Sequence, residues 1–100
     1  MEITIQTVHF EATQKLQDFI NKKVNRLDKF HDNILAADVV LKVVKPESSD
    51  NKDGSVKLMV PGHDPFFAEE IANTFEEAID RCVDKLERQL LKSKEKKKGL

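Results

Sequence analysis

The sequence has few of the residues on which several kinds of functional site depend. Its 100 residues include no tryptophan, no tyrosine, one cysteine and three glycines. The dispersed Gly54, Gly62 and Gly99 exclude a glycine-rich phosphate-binding loop. The lone Cys82 excludes an internal disulfide and a multi-cysteine zinc site, which favours a reducing compartment.

Long apolar runs are also absent. No stretch approaches the roughly 20 apolar residues that would span a bilayer. The N-terminal Met1-Glu2-Ile3-Thr4 lacks the basic and apolar regions of a signal peptide. With 39% hydrophobic residues, the chain has enough apolar material for one modest core. We therefore expect a single cytoplasmic domain.

The residues that usually carry catalysis or bind metals are scattered. His9, His31 and His63 are isolated from one another, and none has the spacing of a metal-ligating pair. His63 and Asp64 lie between two prolines, where a polar turn is the favoured interpretation. The sequence therefore predicts no catalytic residue, no metal and no cofactor, so the protein is not expected to be an enzyme.

Charge is unevenly distributed along the chain, although the formal net charge is only -1. Residues 1–33 carry 5 basic and 5 acidic side chains, residues 34–80 carry 4 and 10, and residues 81–100 carry 8 and 3. The three segments therefore have net charges of 0, -6 and +5. A near-neutral total conceals a polarised molecule, and local charge governs the choice of partner.

The N-terminal third predicts a strand followed by a helix. Ile3 and Ile5 alternate with polar residues, as in a short strand with one apolar face. Thr13 is a suitable N-cap for a helix that ends near Phe30. The apolar residues of this helix recur every three or four positions and are Leu16, Ile20, Val24 and Leu27.

Three further strands are expected before a second helix. The β-branched stretch 34–45 predicts the second strand, and residues 56–60 and 66–72 predict the third and fourth. The polar segment 46–54 is interpreted as an exposed loop. The order β-α-β-β-β-α predicts an α+β fold, in which both helices pack on one face of a four-stranded sheet.

The second helix is predicted to begin at a capping box formed by Thr74 and Glu77. Its apolar seam holds helical spacing to about residue 90 and comprises Phe75, Ile79, Cys82, Val83, Leu86 and Leu90. Because Cys82 lies on this seam, we expect a small buried core residue and not a reactive thiol. Residues 1–92 are expected to form one domain and residues 93–100 a basic C-terminal tail.

Basic side chains form a stripe along one flank of each predicted helix, since a helix turns roughly 100° per residue. The stripe of the second helix comprises Arg81, Lys85, Arg88, Lys92 and Lys96. The acidic residues on its other flank are Glu76, Glu77, Asp80, Asp84 and Glu87. The stripe of the first helix comprises Lys15, Lys22, Arg26 and Lys29, with Lys23 near its edge. A helix that needed only solubility would mix the two signs.

We expect the two basic stripes to face each other across a groove whose width suits a phosphate backbone. Phosphate contacts are the usual source of affinity for RNA and DNA. The alternative interpretation is that each stripe is an ordinary solvated face. Phe30, Phe66 and Phe67 can in principle stack on bases, but core packing is favoured for them. Recognition of shape and phosphates is therefore expected over base reading.

Several segments resemble one bacterial protein family. Residues 84–90 read Asp-Lys-Leu-Glu-Arg-Gln-Leu, preceded by Ala78-Ile79-Asp80 and followed by the lysine-rich residues 92–96. The first helix contains the basic and aromatic residues Lys23, Arg26, Leu27, Lys29 and Phe30, and the second strand contains Val39-Val40-Leu41-Lys42-Val43. Over nearly the whole chain this resembles the short ribosome hibernation-promoting factors and protein Y, a family also called ribosome-associated inhibitor or sigma-54 modulation protein.

The resemblance implies a fold like that of a double-stranded-RNA-binding domain. It implies docking on the small ribosomal subunit, in the channel for messenger RNA and tRNA, and inhibition of translation in idle, stationary-phase cells. The rRNA-contacting residues that it implies are Lys23, Arg26, Lys29, Lys85, Arg88 and Lys92. Helical geometry alone adds Lys22, Arg81 and Lys96 as RNA-binding candidates.

The sequence also departs from some family members. It ends at Leu100 in a basic segment, without the acidic extension of protein Y or the additional domain with which long hibernation factors pair ribosomes. We therefore do not expect this chain alone to pair ribosomes, and a separate ribosome-dimerising factor remains an open partner.

Three other functions remain as alternatives. The same basic stripes permit a module that binds structured RNA away from the ribosome. The acidic flank and the negative middle segment permit a module that binds a basic protein. Attachment to a membrane surface through the lysine-rich end is disfavoured, because the core requires the apolar face of that helix. Neither a membrane nor a small-molecule substrate is expected as a partner.

Overall fold

The computed structural model describes residues 1–45 and 47–98, and side chains as far as residue 93, except that of residue 46. Its elements in chain order are β1 Glu2–Val8, α1 Gln14–Asn25, β2 Ala36–Val43, β3 Lys52–Met59, β4 Phe66–Ala72 and α2 Phe75–Lys98. The predicted order β-α-β-β-β-α is confirmed.

The four strands form one mixed sheet in the order β1-β2-β3-β4. β1 and β2 are parallel, while β2 pairs with β3, and β3 with β4, in antiparallel register. A parallel pair needs a crossover connection, and α1 supplies it. α1 contacts β1, whereas α2 packs on β3 and β4. The predicted four-stranded α+β fold is therefore confirmed.

The core fills the space between the two helices and one face of the sheet. Alternate residues of each inner strand are buried, among them Val39, Leu41, Val56 and Leu58. The helices contribute residues at helical spacing, and those without solvent exposure include Ile20, Val24, Ile79, Cys82, Leu86 and Leu90. The apolar seams predicted for both helices are therefore confirmed.

Threonine side chains cap both helices. The Oγ1 atom of Thr13 accepts a hydrogen bond from the backbone N–H of Leu16 at 3.1 Å. The Oγ1 atom of Thr74 accepts one from Glu77 at 3.1 Å. Each bond satisfies a backbone donor that has no partner within its helix. After α1, a 3-10 turn over Arg26–Lys29 continues the helical path to the predicted end near Phe30.

The third strand begins earlier than its polar sequence predicts. Lys52 pairs with Val43 and Gly54 with Leu41, so residues 52–54 belong to β3 and not to the predicted loop. Pairing with β2 gives their backbone N–H and C=O groups hydrogen-bond partners, and this pairing does not depend on the side chains. The remainder of the loop includes Pro46, which lies outside the described residues.

Gly54 lies where α2 approaches the sheet closely. A Cβ atom at this position would be 3.1 Å from the Cδ1 atom of Ile79 and 3.3 Å from the Cβ atom of Ala78. The missing side chain lets the N-terminal half of α2 lie directly on β3. The helix then continues to Lys98, past the end of its apolar seam near residue 90, in a segment rich in the good helix former lysine.

Cys82 is completely buried beneath α2. Its thiol donates weak hydrogen bonds to the carbonyl oxygens of Gly54 and Ala68, with distances of 3.3 and 3.6 Å from Sγ. Burial, assisted by the negative charge of Glu70, raises the pKa of the Cys82 thiol to about 12. The predicted role of Cys82 as a core residue is confirmed.

The face of the sheet opposite the helices carries a pair of carboxyl groups. Asp53 is only 4% exposed, and its Oδ2 atom lies 3.6 Å from the Nζ atom of Lys42. Among the described residues, no hydrogen-bond donor reaches its Oδ1 atom. Hydrogen bonding to Asp53, together with burial and the negative charge of Asp53, raises the pKa of Glu69. When Glu69 is protonated, its hydroxyl is therefore the group available to donate to Asp53.

The buried thiol generates a stability prediction. We expect Cys82→Ser to lower the free energy of unfolding by about 1 to 2 kcal/mol, because a buried hydroxyl is more costly to desolvate than a thiol. The two carbonyl acceptors limit the loss. Urea unfolding measures this change, and native Cys82 should react with a thiol reagent only on the time scale of unfolding. Rapid labelling of the native protein would contradict its burial.

The carboxyl pair generates a pH prediction. Because the pKa of Glu69 is raised in the folded protein, Glu69 keeps its proton at pH values above the ordinary pKa of 4.5. In that pH range the folded protein binds more protons than the unfolded chain. This contribution to the free energy of unfolding therefore falls as pH rises from 4.5 through the raised pKa. We expect Glu69→Gln, whose amide donates at every pH, to gain stability over the wild type across this window. Urea unfolding between pH 4.5 and 7.5 tests this, with Glu11→Gln as control, and a pH-independent difference would refute it.

Candidate nucleic-acid interface

The first group of predicted RNA-binding residues follows the exposed side of α1 and its 3-10 turn. Lys22, Arg26 and Lys29 are exposed, and Lys23 is half-buried. Their direction follows from the apolar seam of α1, which faces the sheet and leaves the polar residues outward. We call Lys23, Arg26 and Lys29 the α1 basic wall, because all three line a groove between the helices.

An ion pair connects the α1 basic wall to the second helix. The Nζ atom of Lys23 donates a hydrogen bond to the Oδ1 atom of Asp80 at 2.8 Å. The same ammonium group lies 5.8 Å from the centre of the Phe19 ring, within the range of a cation–π contact. Lys23 is therefore held in place by its own protein, unlike its exposed neighbours.

The opposite side of the groove is acidic. Asp80, Asp84 and Glu87 of α2 face the α1 basic wall, with Val83 and Phe30 also lining the groove. The groove has a volume of about 290 Å³. We call these three carboxylates the α2 acidic wall. The expectation that the two basic stripes face each other is therefore wrong, and the basic residues do not line a single groove.

The rotation of α2 explains this difference. Its apolar seam faces the sheet, so one flank must face α1 and the other must face outward beyond β4. The flank towards α1 is the acidic one. The basic flank, which comprises Arg81, Lys85, Arg88 and Lys92, is the α2 basic stripe.

The α2 basic stripe lies beside the edge strand β4. The Nζ atom of Lys85 pairs with the Oε2 atom of Glu70 at 2.7 Å. One turn earlier, Arg81 pairs with the Oε1 atom of Glu77 at 2.6 Å. Between the stripe and β4, the side-chain amide of Gln89 donates to the carbonyl oxygen of Phe67 at 3.0 Å.

The remaining residues of this stripe are open to a partner. Arg88 and Lys92 are both exposed. The side chain of Lys96 lies outside the described residues. Ion pairs between partly exposed side chains typically contribute only about 0.2 to 1 kcal/mol, so Arg81 and Lys85 can exchange their carboxylates for phosphates at little cost. The stripe therefore presents a row of exposed cations along one side of a single helix.

The three phenylalanines that were candidates for base stacking differ in their exposure to solvent. Phe66 is 6% exposed and belongs to the core, as expected, and Phe30 is half-buried at the groove between the helices. Phe67 is 51% exposed on the open face of the sheet, so core packing is the wrong interpretation for this residue. Its neighbour Phe66 has the inward strand position, because side chains alternate between the faces.

Some contacts of the interface are invisible in the sequence. Glu70, the partner of Lys85, is 15 residues away and on another element, and Lys23 and Asp80 are 57 residues apart. No local spacing predicts these pairs.

The described residues hold neither a metal-binding cluster nor a membrane-spanning helix. In the part of the chain that the structure describes, no three histidine, cysteine, aspartate or glutamate side chains are grouped to hold a metal ion. Nor does any helix within that part combine the length and apolar character needed to cross a membrane.

A comparison with protein families finds one match along almost the entire chain. Residues 3–98 match the family model described as sigma 54 modulation protein / S30EA ribosomal protein.

Individual relatives agree with this match. A ribosome hibernation promoting factor of Pseudomonas putida is 36% identical over 104 aligned positions, which cover 100% of this chain and 93% of the relative. The factor of that name from Escherichia coli is 31% identical, with 98% of each chain covered. A ribosome hibernation promotion factor of Bacillus subtilis is 30% identical, and the match covers 96% of this chain but 50% of that protein.

Solved structures have the same fold. The N-terminal domain of Thermus thermophilus protein Y superimposes with a TM-score of 0.77 at 31% identity, covering 92% of this chain and 98% of that domain. A ribosomal subunit interface protein of Coxiella burnetii superimposes with a TM-score of 0.81 at 21% identity, covering 94% of this chain and 98% of the other. At that identity the second likeness concerns the fold alone.

Proposed function

Because this chain belongs to the ribosome hibernation-promoting factor and protein Y family, we propose that it binds the small ribosomal subunit and inhibits translation in idle cells. It contacts rRNA in the channel that messenger RNA and tRNA otherwise occupy. It acts in the cytoplasm as a stress-response factor of stationary phase. Its effect is occupancy of the channel, and no chemical step is required.

The observation that carries the proposal is the α2 basic stripe on a helix that the core holds rigidly. The seam residues beneath it, such as Leu86 and Leu90, are fully buried, so the helix backbone fixes the positions from which the basic side chains extend. Rigid placement reduces the entropy lost when several side chains bind phosphates together. The exposed Arg88 and Lys92 make the first contacts, and Arg81 and Lys85 exchange their intramolecular partners for phosphates.

The α1 basic wall supplies a second contact surface. Arg26 and Lys29 are exposed and lie across the groove from α2. The two basic surfaces are separated by the α2 acidic wall, so they reach different phosphates and not the two sides of one backbone. Lys22 adds an exposed cation on α1. Such a surface recognises the shape of folded rRNA through spaced phosphate contacts.

Ribosome pairing is outside the action proposed for this domain. The match covers half of the Bacillus subtilis protein, so any activity of the rest of that protein does not follow from the likeness. We propose that the domain blocks single ribosomes and that pairing, where it occurs, involves a separate dimerising factor.

The two basic surfaces generate a charge-reversal prediction. We expect Arg26→Glu combined with Arg88→Glu to abolish association with small ribosomal subunits while the domain remains folded. Both side chains are exposed, and surface changes usually alter stability by only about 0.5 kcal/mol. Co-sedimentation and thermal unfolding measure the two effects. The matched control reverses Lys45 and Lys57, which are exposed elsewhere, and should leave association nearly intact.

Two outcomes would count against this proposal. A collapsed melting temperature in the Arg26 and Arg88 variant would show that these residues are structural. An equal loss of association in the control would show that only net charge matters. Binding to structured RNA without any association with ribosomal particles would favour the general RNA-binding module.

Phosphate binding also predicts the response to salt. If about six cations neutralise phosphates, the logarithm of the association constant should fall with the logarithm of salt concentration at a slope of roughly -4 to -5. Lys92→Ala should weaken binding and reduce the steepness by about 0.7 to 0.9. Titrations against small subunits at several monovalent salt concentrations, with magnesium fixed, measure both slopes. A flat dependence, or identical slopes for the two proteins, would contradict an electrostatic interface.

A further inference from the structure

The groove between the helices has walls of opposite charge, and most of the charged side chains in these walls do not pair across it. Lys23 and Asp80 form an ion pair across it. Farther along, Arg26 and Lys29 face Asp84 and Glu87, yet these four form no ion pair of 4.0 Å or less with any described residue. Two arrays of opposite charge therefore remain open to a ligand that carries both an anionic group and hydrogen-bond donors.

The floor of the groove limits the ligand further. Phe30 and Val83 line it between the charged walls, and the volume of about 290 Å³ is that of a shallow site. An unpaired nucleotide combines the required features, because it has a phosphate, an apolar ring face and a donor-bearing base edge. RNA-binding proteins commonly stack unpaired bases on aromatic rings and bond their Watson–Crick edges.

We propose that this groove binds one unpaired, donor-bearing nucleotide of RNA, with guanine preferred. Its phosphate contacts Arg26 and Lys29, its ring packs against Phe30, and its base edge donates hydrogen bonds to Asp84 or Glu87. This inference rests on the proposed function and adds a single base-reading position to a surface that otherwise recognises phosphates.

The carboxylates determine the base preference. An ionised carboxylate only accepts hydrogen bonds, and its two oxygens can accept from two donors at once. Guanine presents two adjacent donors, N1–H and N2–H, on its Watson–Crick edge. Cytosine and adenine present one amino group each, whereas uracil presents one N–H between two carbonyl oxygens that the carboxylate repels. The expected order is therefore guanine first and uracil last.

If the α2 acidic wall has no role in binding a base, the effect of removing its carboxylates on RNA affinity should have the opposite sign. If the α2 acidic wall only repels RNA, removing a carboxylate should strengthen binding, since like charges near phosphates oppose association. If a carboxylate receives a base edge, removing it should weaken binding. The sign of the change therefore distinguishes the two.

The experiment uses the full chain and four RNA hairpins that are identical except for one unpaired loop nucleotide, which is A, C, G or U. Fluorescence anisotropy at fixed low salt gives the four dissociation constants. The test variants are Asp84→Asn and Glu87→Gln. Glu76→Gln is the matched control, because it removes the same charge from an exposed position of α2 outside the groove.

The expected result is tighter binding of the guanine hairpin than of the uracil hairpin by about fivefold or more, the lower range for one well-formed base contact. At least one test variant should weaken guanine binding by a similar factor and lose the preference, while Glu76→Gln keeps it. Equal affinity of the wild type for all four hairpins would overturn the inference, as would no binding to any. Uniformly tighter binding by both variants would also overturn it.

Failure here is distinguishable from failure of the proposed function. Co-sedimentation of the same wild-type protein with small ribosomal subunits is measured in parallel. Association with subunits but no base preference would overturn the nucleotide site alone. Loss of both would overturn the hibernation role as well.

Discussion

The apolar seam of α2 packs on β3 and β4, and this contact determines the rotation of the helix about its own axis. Gly54 permits the close approach, because a side chain there would meet Ile79 and Ala78. Once the seam faces the sheet, the direction in which each charged flank of α2 points is fixed. The acidic flank faces α1 and the basic flank lies beside β4, so the electrostatics of the surface follow from core packing.

This arrangement separates the cations into two surfaces with carboxylates between them. Lys23 and Lys85 each pair with an acidic residue of another element, and Arg81 pairs within α2. The pairs of Lys23 and Lys85 stabilise the relative positions of the elements, and the more exposed side chains of Arg81 and Lys85 cost little to free from their partners. A chain with a net charge of only -1 therefore still presents concentrated positive charge, which is what the proposed contact with RNA requires.

The open face of the sheet has a different character from the helical face. It carries the exposed Phe67 and the pair of Asp53 and Glu69, whose hydrogen bond raises the pKa of Glu69. Lys42 offsets part of this negative charge at 3.6 Å from Asp53. The acidic middle segment of the chain is therefore divided: Asp53 and Glu69 lie on this open face, whereas Glu70 and Glu77 pair with the cations Lys85 and Arg81 of α2.

The sequence by itself determined the element order, the buried seams, both threonine caps and the burial of Cys82. These features depend on periodicity and on contacts within about four residues, which are readable along the chain. It also identified the basic stripe of each helix and the acidic flank of the second, because the turn per residue is constant. Its family resemblance agrees with the matches over residues 3–98.

Only the tertiary structure decided which flanks face each other. The sequence pattern predicted that the two basic stripes face each other, whereas the packing of α2 on β3 and β4 puts its acidic flank beside α1. The strand character of residues 52–54 was likewise hidden, because it comes from backbone pairing with β2 and not from their polar side chains. Relations between distant elements depend on topology, which local periodicity does not encode.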